Sequence, residues 1–109
     1  MSNEPIEIND KGSKIWRNSK GQFHRDNDLP AVVRIDGTCA WFQNNQYHRD
    51  NDLPAIIYPG GTCSWYENDL FIMSRKCTSE EIEQYKKPYY LQKSKKIQFS
   101  RFENLIKDK

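Results

Sequence analysis

The residues that first suggest chemistry are His24, Arg25, Asp26 and Asp28, because the chain carries the same set again as His48, Arg49, Asp50 and Asp52. A histidine two residues from a carboxylate is the stuff of acid–base catalysis. A single active site, however, does not need its whole constellation copied at a fixed spacing. A structural role accounts for the duplication better. Aspartates would close turns on the link backbone, Pro30 and Pro54 would stop further strand pairing, and each His or Arg would bond the neighbouring copy. A zinc site drawn from His24, His48, Cys39 and Cys63 lacks any Cys-x-x-Cys or His-x3-His pair. Cys77 has no nearby histidine in sequence to activate it as a nucleophile. The chain is read as non-enzymatic, with no cofactor and no metal.

What must position these residues is a repeat. His24 to Ala31 returns letter for letter as His48 to Ala55, and Gly37-Thr38-Cys39 with Trp41 returns as Gly61-Thr62-Cys63 with Trp65. Between 24–41 and 48–65, 12 of 18 positions are identical, and a fixed period of this length marks a repeat array. The middle copy reads as a strand through Cys39, Trp41 and Phe42, a turn at Asn44-Asn45, a strand ending in His48-Arg49, a polar link, and a strand from Ala55 to Tyr58. Asn44-Asn45, Asp36-Gly37 and Gly60-Gly61 have the chemistry of tight primed hairpin turns, and β-branched and aromatic flanks favour strands. In the third copy Ile72 replaces the histidine, as befits a terminal, capping repeat. The array is expected over 15–73, preceded by a polar stretch with one short alternating segment, Ile6-Glu7-Ile8.

Beyond it, Thr78 and Glu81 form a capping box for a helix containing Ile82 and Tyr85 and stopped by Pro88. A second helix is expected from about Lys93 to Lys107, with Phe99, Phe102, Leu105 and Ile106 as an apolar stripe that covers one sheet face. The fold class is α+β, mainly β: one domain over 1–109, an antiparallel β-meander followed by one or two helices over 78–108.

With those residues in view, the repeat resembles a variant MORN-type repeat, written Trp-aromatic-x-Asn…His-Arg…Pro-Ala…Gly, over residues 16–73. The resemblance implies hairpins added side by side into an antiparallel sheet. It also implies kinship with segments of phage, giant-virus and bacterial antitoxin-like proteins. Two departures stand out. Asn45 and Asp69 replace the usual turn glycine, and Asp28-Leu29 and Asp52-Leu53 replace the usual Asp-Gly before Pro-Ala.

Charge divides the chain. Residues 1–73 hold 7 basic and 10 acidic groups, and 74–109 hold 10 basic and 5 acidic. No apolar run approaches the roughly 18 residues of a membrane span, and Met-Ser-Asn-Glu-Pro is no signal peptide. The expected location is the cytoplasm, that of a host if the protein is viral. The odd set of Cys39, Cys63 and Cys77 is expected reduced. The first two stand one repeat apart, farther than the roughly 7 Å between Cα atoms that a disulfide spans.

Two functions compete. The first is a phage-type accessory protein that binds and modulates or inhibits a host protein, such as a defence or toxin component. Its candidate contact residues are His24, Arg25, Trp41, His48 and Arg49, with Lys93, Lys95 and Lys96. The second is nucleic-acid binding through the basic tail, with Trp16, Trp41 and Trp65 as an aromatic track beside Arg17, Arg25 and Arg49. The tryptophans are otherwise a buried spine. The first strand (Ile15-Trp16) and the last (Leu70 to Met73) carry few charges, so edge-to-edge homodimerisation is also in view.

Overall fold

The computed structural model describes residues 5–91. The stripe Phe99 to Ile106 and the cluster Lys93, Lys95 and Lys96 therefore lie outside the described residues.

The strands are β1 (Glu7–Ile8), β2 (Lys14–Ile15), β3 (Val32–Val33), β4 (Cys39–Ala40), β5 (Phe42–Gln43), β6 (Gln46–Tyr47), β7 (Ile56–Ile57), β8 (Thr62–Glu67) and β9 (Leu70–Lys76). They are followed by helix α1 (Ser79–Tyr85). Seven strands form an antiparallel sheet in the order β1-β2-β3-β4-β7-β8-β9, and β5-β6 pair by themselves. The architecture is the expected mainly-β meander with short helices at its C-terminal side.

One expectation is corrected. The Trp-bearing hairpins do not extend the main sheet; the segments before and after each link build it, and the hairpins form a second layer. The hinge is the tryptophan. Trp41 gives its N–H to Ala55 of the main sheet and its carbonyl to the N–H of His48 in the hairpin. Trp16 does the same with Ala31 and His24. Only in the last copy does one strand, β8, run through, with a bulge between Trp65 and Tyr66.

Register explains the two cores, since alternate residues of a strand face opposite sides. Partnered across the sheet, Ile15, Val32, Ala40, Ile56 and Ser64 line one face. Lys14, Val33, Cys39, Ile57 and Cys63 line the other. The first face is roofed by the hairpin aromatics Phe23, Phe42, Tyr47 and Tyr66. Consecutive members of that row have ring centroids 4.3 to 5.2 Å apart. The second face packs under Trp41, Trp65, Ile82, Tyr85 and Tyr89. A helical cover over one face was expected from 99–106; among the described residues Ile82, Tyr85 and Tyr89 supply it. Removing side chains such as Ile56 and Ile57 from water contributes about 1.5–3 kcal/mol each.

Cys39 and Cys63 flank Ile57 two strands apart, about 9–10 Å at ordinary strand spacing, and all three cysteines are free and buried.

The array is longer than the sequence reading at both ends. Ile6 gives its N–H to Ile15, as Ala31 does to Ala40 and Ala55 to Ser64. Gly12 bonds back to Asn9 as Gly37 does to Arg34 and Gly61 to Tyr58. Pro5 to Trp16 is therefore a half-copy in register with Pro30 to Trp41, and Ile15 is an interior strand residue, not an edge. At the far end β9 continues three residues past Met73, to Lys76.

Turn chemistry matched in part. Asn44 and Asn45 have φ of 53° and 72°, and Asn68 and Asp69 have 49° and 70°, as primed two-residue turns require. The turns at Gly37 and Gly61 are instead three-residue loops in which only the glycine is left-handed, at φ 99° and 100°.

α1 has the expected capping box, Thr78 with Glu81. It stops at Tyr85, before Pro88 is reached. The chain is helical again over 87–91, with Pro88 in a first turn, where its missing N–H costs nothing. Lys87 is thus helical, contrary to the usual bias before proline.

Candidate functional site

Each copy builds one compact unit from its tryptophan, its arginine and the link between. Arg49 lies on the Trp41 ring, with the guanidinium carbon 3.9 Å from the ring centroid. Its Nε and Nη2 donate to the two carboxylate oxygens of Asp28 at 2.7 and 3.2 Å. Nη1 donates to the Pro54 carbonyl and Nη2 also to that of Tyr85, at 2.6 Å. One side chain thus ties together two copies, its own link and the helix. Arg49 is only 6% exposed, and a planar five-donor guanidinium is the group that can satisfy this many partners at once. The same aspartates close the unit with their backbones, since the Trp41 indole N–H donates to the Asp28 carbonyl and that of Trp65 to the Asp52 carbonyl. Asn27, Asp28, Asn51 and Asp52 are all left-handed, with φ from 56° to 65°, a conformation that Asn and Asp tolerate best among residues with side chains.

The histidines are equally committed. The His24 Nδ1 accepts the N–H of Asn44 and its Nε2 meets Asp26 at 2.9 Å. His48 repeats this with Asn68 and Asp50. This geometry assigns the Nε2–H tautomer and leaves neither nitrogen for a substrate. The expectation that each His or Arg bonds the neighbouring copy is met by His24, His48 and Arg49, whereas the Arg25 guanidinium donates to the Pro30 carbonyl of its own copy. The expectation that Asp26 and Asp50 close turns on their own backbone is not met, because their carboxylates hold the histidines.

The turn residues that replace glycine explain themselves. Asn45 Oδ1 accepts the Phe23 N–H at 2.7 Å while its own N–H reaches the Phe23 carbonyl. Asp69 does the same to Tyr47. A glycine would make the turn but not this staple between hairpins.

Between the links lies a cavity of about 240 Å³, lined by Asp26, Asp28, Trp41, His48, Arg49 and Asp50 among others. It is polar, and its charged groups are already paired with one another. Among the described residues no three His, Cys, Asp or Glu side chains converge as a metal site, and no helix is long and apolar enough to cross a membrane.

The tryptophans are a buried spine at two positions and not an open track. Trp16 is 9% and Trp41 2% exposed, while Trp65 is half-buried under Arg75 and the edge of Tyr85. Arg17, the third arginine named beside them, stacks on Phe23 and pairs with Glu7.

Sequence reasoning missed one feature and foresaw another only in part. The last copy loses its His-Arg pair but not the stacking, because Arg75 reaches back over Trp65 at 5.2 Å and holds Glu81 of α1. The open final edge was expected over Leu70 to Met73, and the structure extends it to Lys76. Every residue of β9 is exposed, including Leu70, Phe71, Ile72 and Met73. Thr62 and Ser64 spend their carbonyls on Tyr58 and Ala55. The residues opposite them, Lys76 and Ser74, therefore turn their peptide groups to the free side.

Comparison with family models, with curated proteins and with solved structures returned no match.

Proposed function

We propose that the chain is a non-enzymatic protein-interaction module. In this reading it is a small viral accessory protein of the phage type, acting in the host cytoplasm to bind and modulate or inhibit a host protein such as a defence or toxin component. The observation that carries the interaction part is β9: seven exposed residues on a sheet edge, four of them large and apolar. Folded proteins ordinarily blunt such an edge, and an open one is suited to accept a partner strand, with backbone bonds giving affinity and side chains giving selectivity. The MORN-type resemblance over 16–73 supports the viral part, as an analogy of fold and not of site.

The test is capture from lysates of candidate bacterial hosts, with the protein and with a Leu70→Lys, Ile72→Lys double variant. Both substitutions fall on exposed positions and should leave the fold intact. A stoichiometric partner held by the first and lost by the second is the expected result. Failure to capture any partner, or equal capture by both, contradicts the reading.

Nucleic-acid binding through Lys93, Lys95 and Lys96 is the competing reading. Its aromatic track is weakened by the burial of Trp16 and Trp41 and by the engagement of Arg49. An oligonucleotide anisotropy titration separates the two, because counterion release makes such binding fall steeply with salt.

A further inference from the structure

The hairpin layer is joined copy to copy in the same way twice. Asn45 takes the Phe23 N–H on its side-chain oxygen and gives its own N–H to the Phe23 carbonyl. Asp69 does the same for Tyr47. At each joint an aromatic three residues before that turn residue packs on the ring it faces. Phe42 lies on Phe23 and Tyr66 on Tyr47, with centroids 5.2 and 5.0 Å apart. The incoming group is thus a four-residue signature, aromatic-x-Asn-Asn at 42–45 and aromatic-x-Asn-Asp at 66–69. The receiving group is one aromatic residue with both peptide groups turned outward.

Phe71 is the third receiver, and it lies on the outer edge. It pairs with Tyr66 next to the turn-closing pair Glu67 and Leu70, the position that Tyr47 holds against Phe42. Bonded and non-bonded pairs alternate along an antiparallel ladder, so this position directs its N–H and C=O away from its own hairpin. For Tyr47 they meet Asp69. For Phe71 they point out past β9, the last strand in the order. Its ring carries on the aromatic row, 5.5 Å from Tyr66. The residue is 55% exposed, so an incoming turn reaches both ring and backbone.

We propose that Phe71 is a docking joint for a tight hairpin turn of a partner protein that carries aromatic-x-Asn-Asn or aromatic-x-Asn-Asp. The partner's last Asn or Asp would accept from the Phe71 N–H and donate to its carbonyl, and its aromatic would pack on the Phe71 ring. This interface continues the two joints inside the chain, which are its template. A second copy does not match it. Its Asn45 and Asp69 are spent on Phe23 and Tyr47. Its first hairpin has Arg17 in the aromatic's place, opposite Phe23, and a longer turn ending at Gly21, which has no side-chain acceptor. Residues 1–4 and 92–109 contain no two consecutive Asn or Asp, the kind of pair that suits this primed turn. The edge departs from its templates at one point. Ile72 replaces the histidine whose Nδ1 takes the N–H of the first turn residue in the other two joints, so it offers apolar contact there instead. That the turn belongs to another protein rests on the interaction-module reading, which the joint deepens by giving the partner's chemistry.

The probe is a backbone-cyclised hairpin peptide bearing Phe-Gln-Asn-Asn-Gln-Tyr, copied from residues 42–47, titrated into the full ¹⁵N-labelled chain. The Phe71 amide resonance should move downfield as it gains an acceptor, while those of Phe23 and Tyr47, already bonded, stay. A peptide with Gly for the second Asn keeps the left-handed turn and loses the acceptor. It should bind about fivefold more weakly, for the loss of one hydrogen bond. Phe71→Leu should weaken both peptides alike, because it removes the ring and keeps the peptide groups. If that variant misfolds, the peptide pair on the unaltered protein still decides. No shift at millimolar peptide, or equal binding of the two peptides, overturns the joint. So does a Phe71 amide already shielded from hydrogen exchange in the free chain, which would give the position to the chain's own ends. Movement of that resonance with protein concentration alone would give it to a second copy, and also overturns the proposal. A host partner captured through β9 yet not displaced by the peptide would reject the joint and leave the module standing. Peptide binding with no host partner captured would do the reverse, keeping the joint's chemistry and rejecting the module.

Discussion

Arg49 lies flat on Trp41 and reaches 21 residues back along the chain to grip Asp28, a residue whose backbone carbonyl caps the same indole. The most repeated residues of the sequence are therefore spent on one another. Stacking of a desolvated guanidinium on an indole contributes up to about 2 kcal/mol. The paired hydrogen bonds to Asp28 then fix the distance between one copy and the next.

The histidines should behave as braces. His24→Ala or His48→Ala removes a ring that accepts from the next hairpin and meets an aspartate. Each should cost about 1 kcal/mol, seen as a lower urea midpoint with an unchanged slope. Wild-type stability in both variants would refute the assignment.

At Asn45 the side chain and the backbone separate two effects. Asn45→Gly keeps the left-handed turn and loses the bond from the Phe23 N–H, so it should destabilise by about 1 kcal/mol. Asn45→Ala loses the bond and adds about 1–2 kcal/mol of left-handed strain. Denaturation should rank the alanine variant below glycine; the reverse order would rule out the staple.

Much of this was legible in the sequence, and the reasons are local. The echo of His24 to Ala31 announces the array, Asn44-Asn45 its hairpin, the spacing of Cys39 and Cys63 their separation, and Thr78 with Glu81 the helix start. The opening half-copy was hidden because Pro5 to Trp16 keeps little of the template beyond Pro, Gly and Trp, and an extra residue in the first hairpin shifts its period from 24 to 25. Arg75 escaped notice because it fills the arginine's place from further along an unbroken strand. The hairpins' departure from the main sheet depends on Trp41 bonding in two directions, which alternation of apolar residues does not encode.

The thiols should be inert in the folded protein. Desolvation, helped by a bond with Cys77, pushes the Cys63 thiol up to about 12, and only the thiolate reacts readily. Ellman's reagent at mildly alkaline pH should find almost no fast thiol in the native state and all three after unfolding. Rapid native labelling at Cys63 would contradict its placement between the sheet and α1.

Acid should loosen α1 first. Arg75, and then the Thr78 backbone, hold the Glu81 carboxyl down at about 2, from an ordinary value of 4.5. A carboxylate whose value is lower in the fold than in the unfolded chain stabilises above the unfolded value and loses that contribution as pH falls toward the folded one. The melting temperature should therefore drop between pH 4.5 and about 2, and Glu81→Gln should flatten that part of the curve. An unchanged curve would contradict the Arg75–Glu81 contact.

The account stands or falls on whether the duplicated residues are a lock between copies. The direct measurement is a double-mutant cycle in urea on Asp28→Asn and Arg49→Gln. Arg49 is buried while the Asp28 carboxylate is 36% exposed, so the pair is partly screened and each single change should cost about 1–3 kcal/mol. The double variant should cost clearly less than their sum, by about 1–3 kcal/mol. Additive effects, or single changes that leave stability untouched, would mean that Asp28 and Arg49 are held for some other purpose.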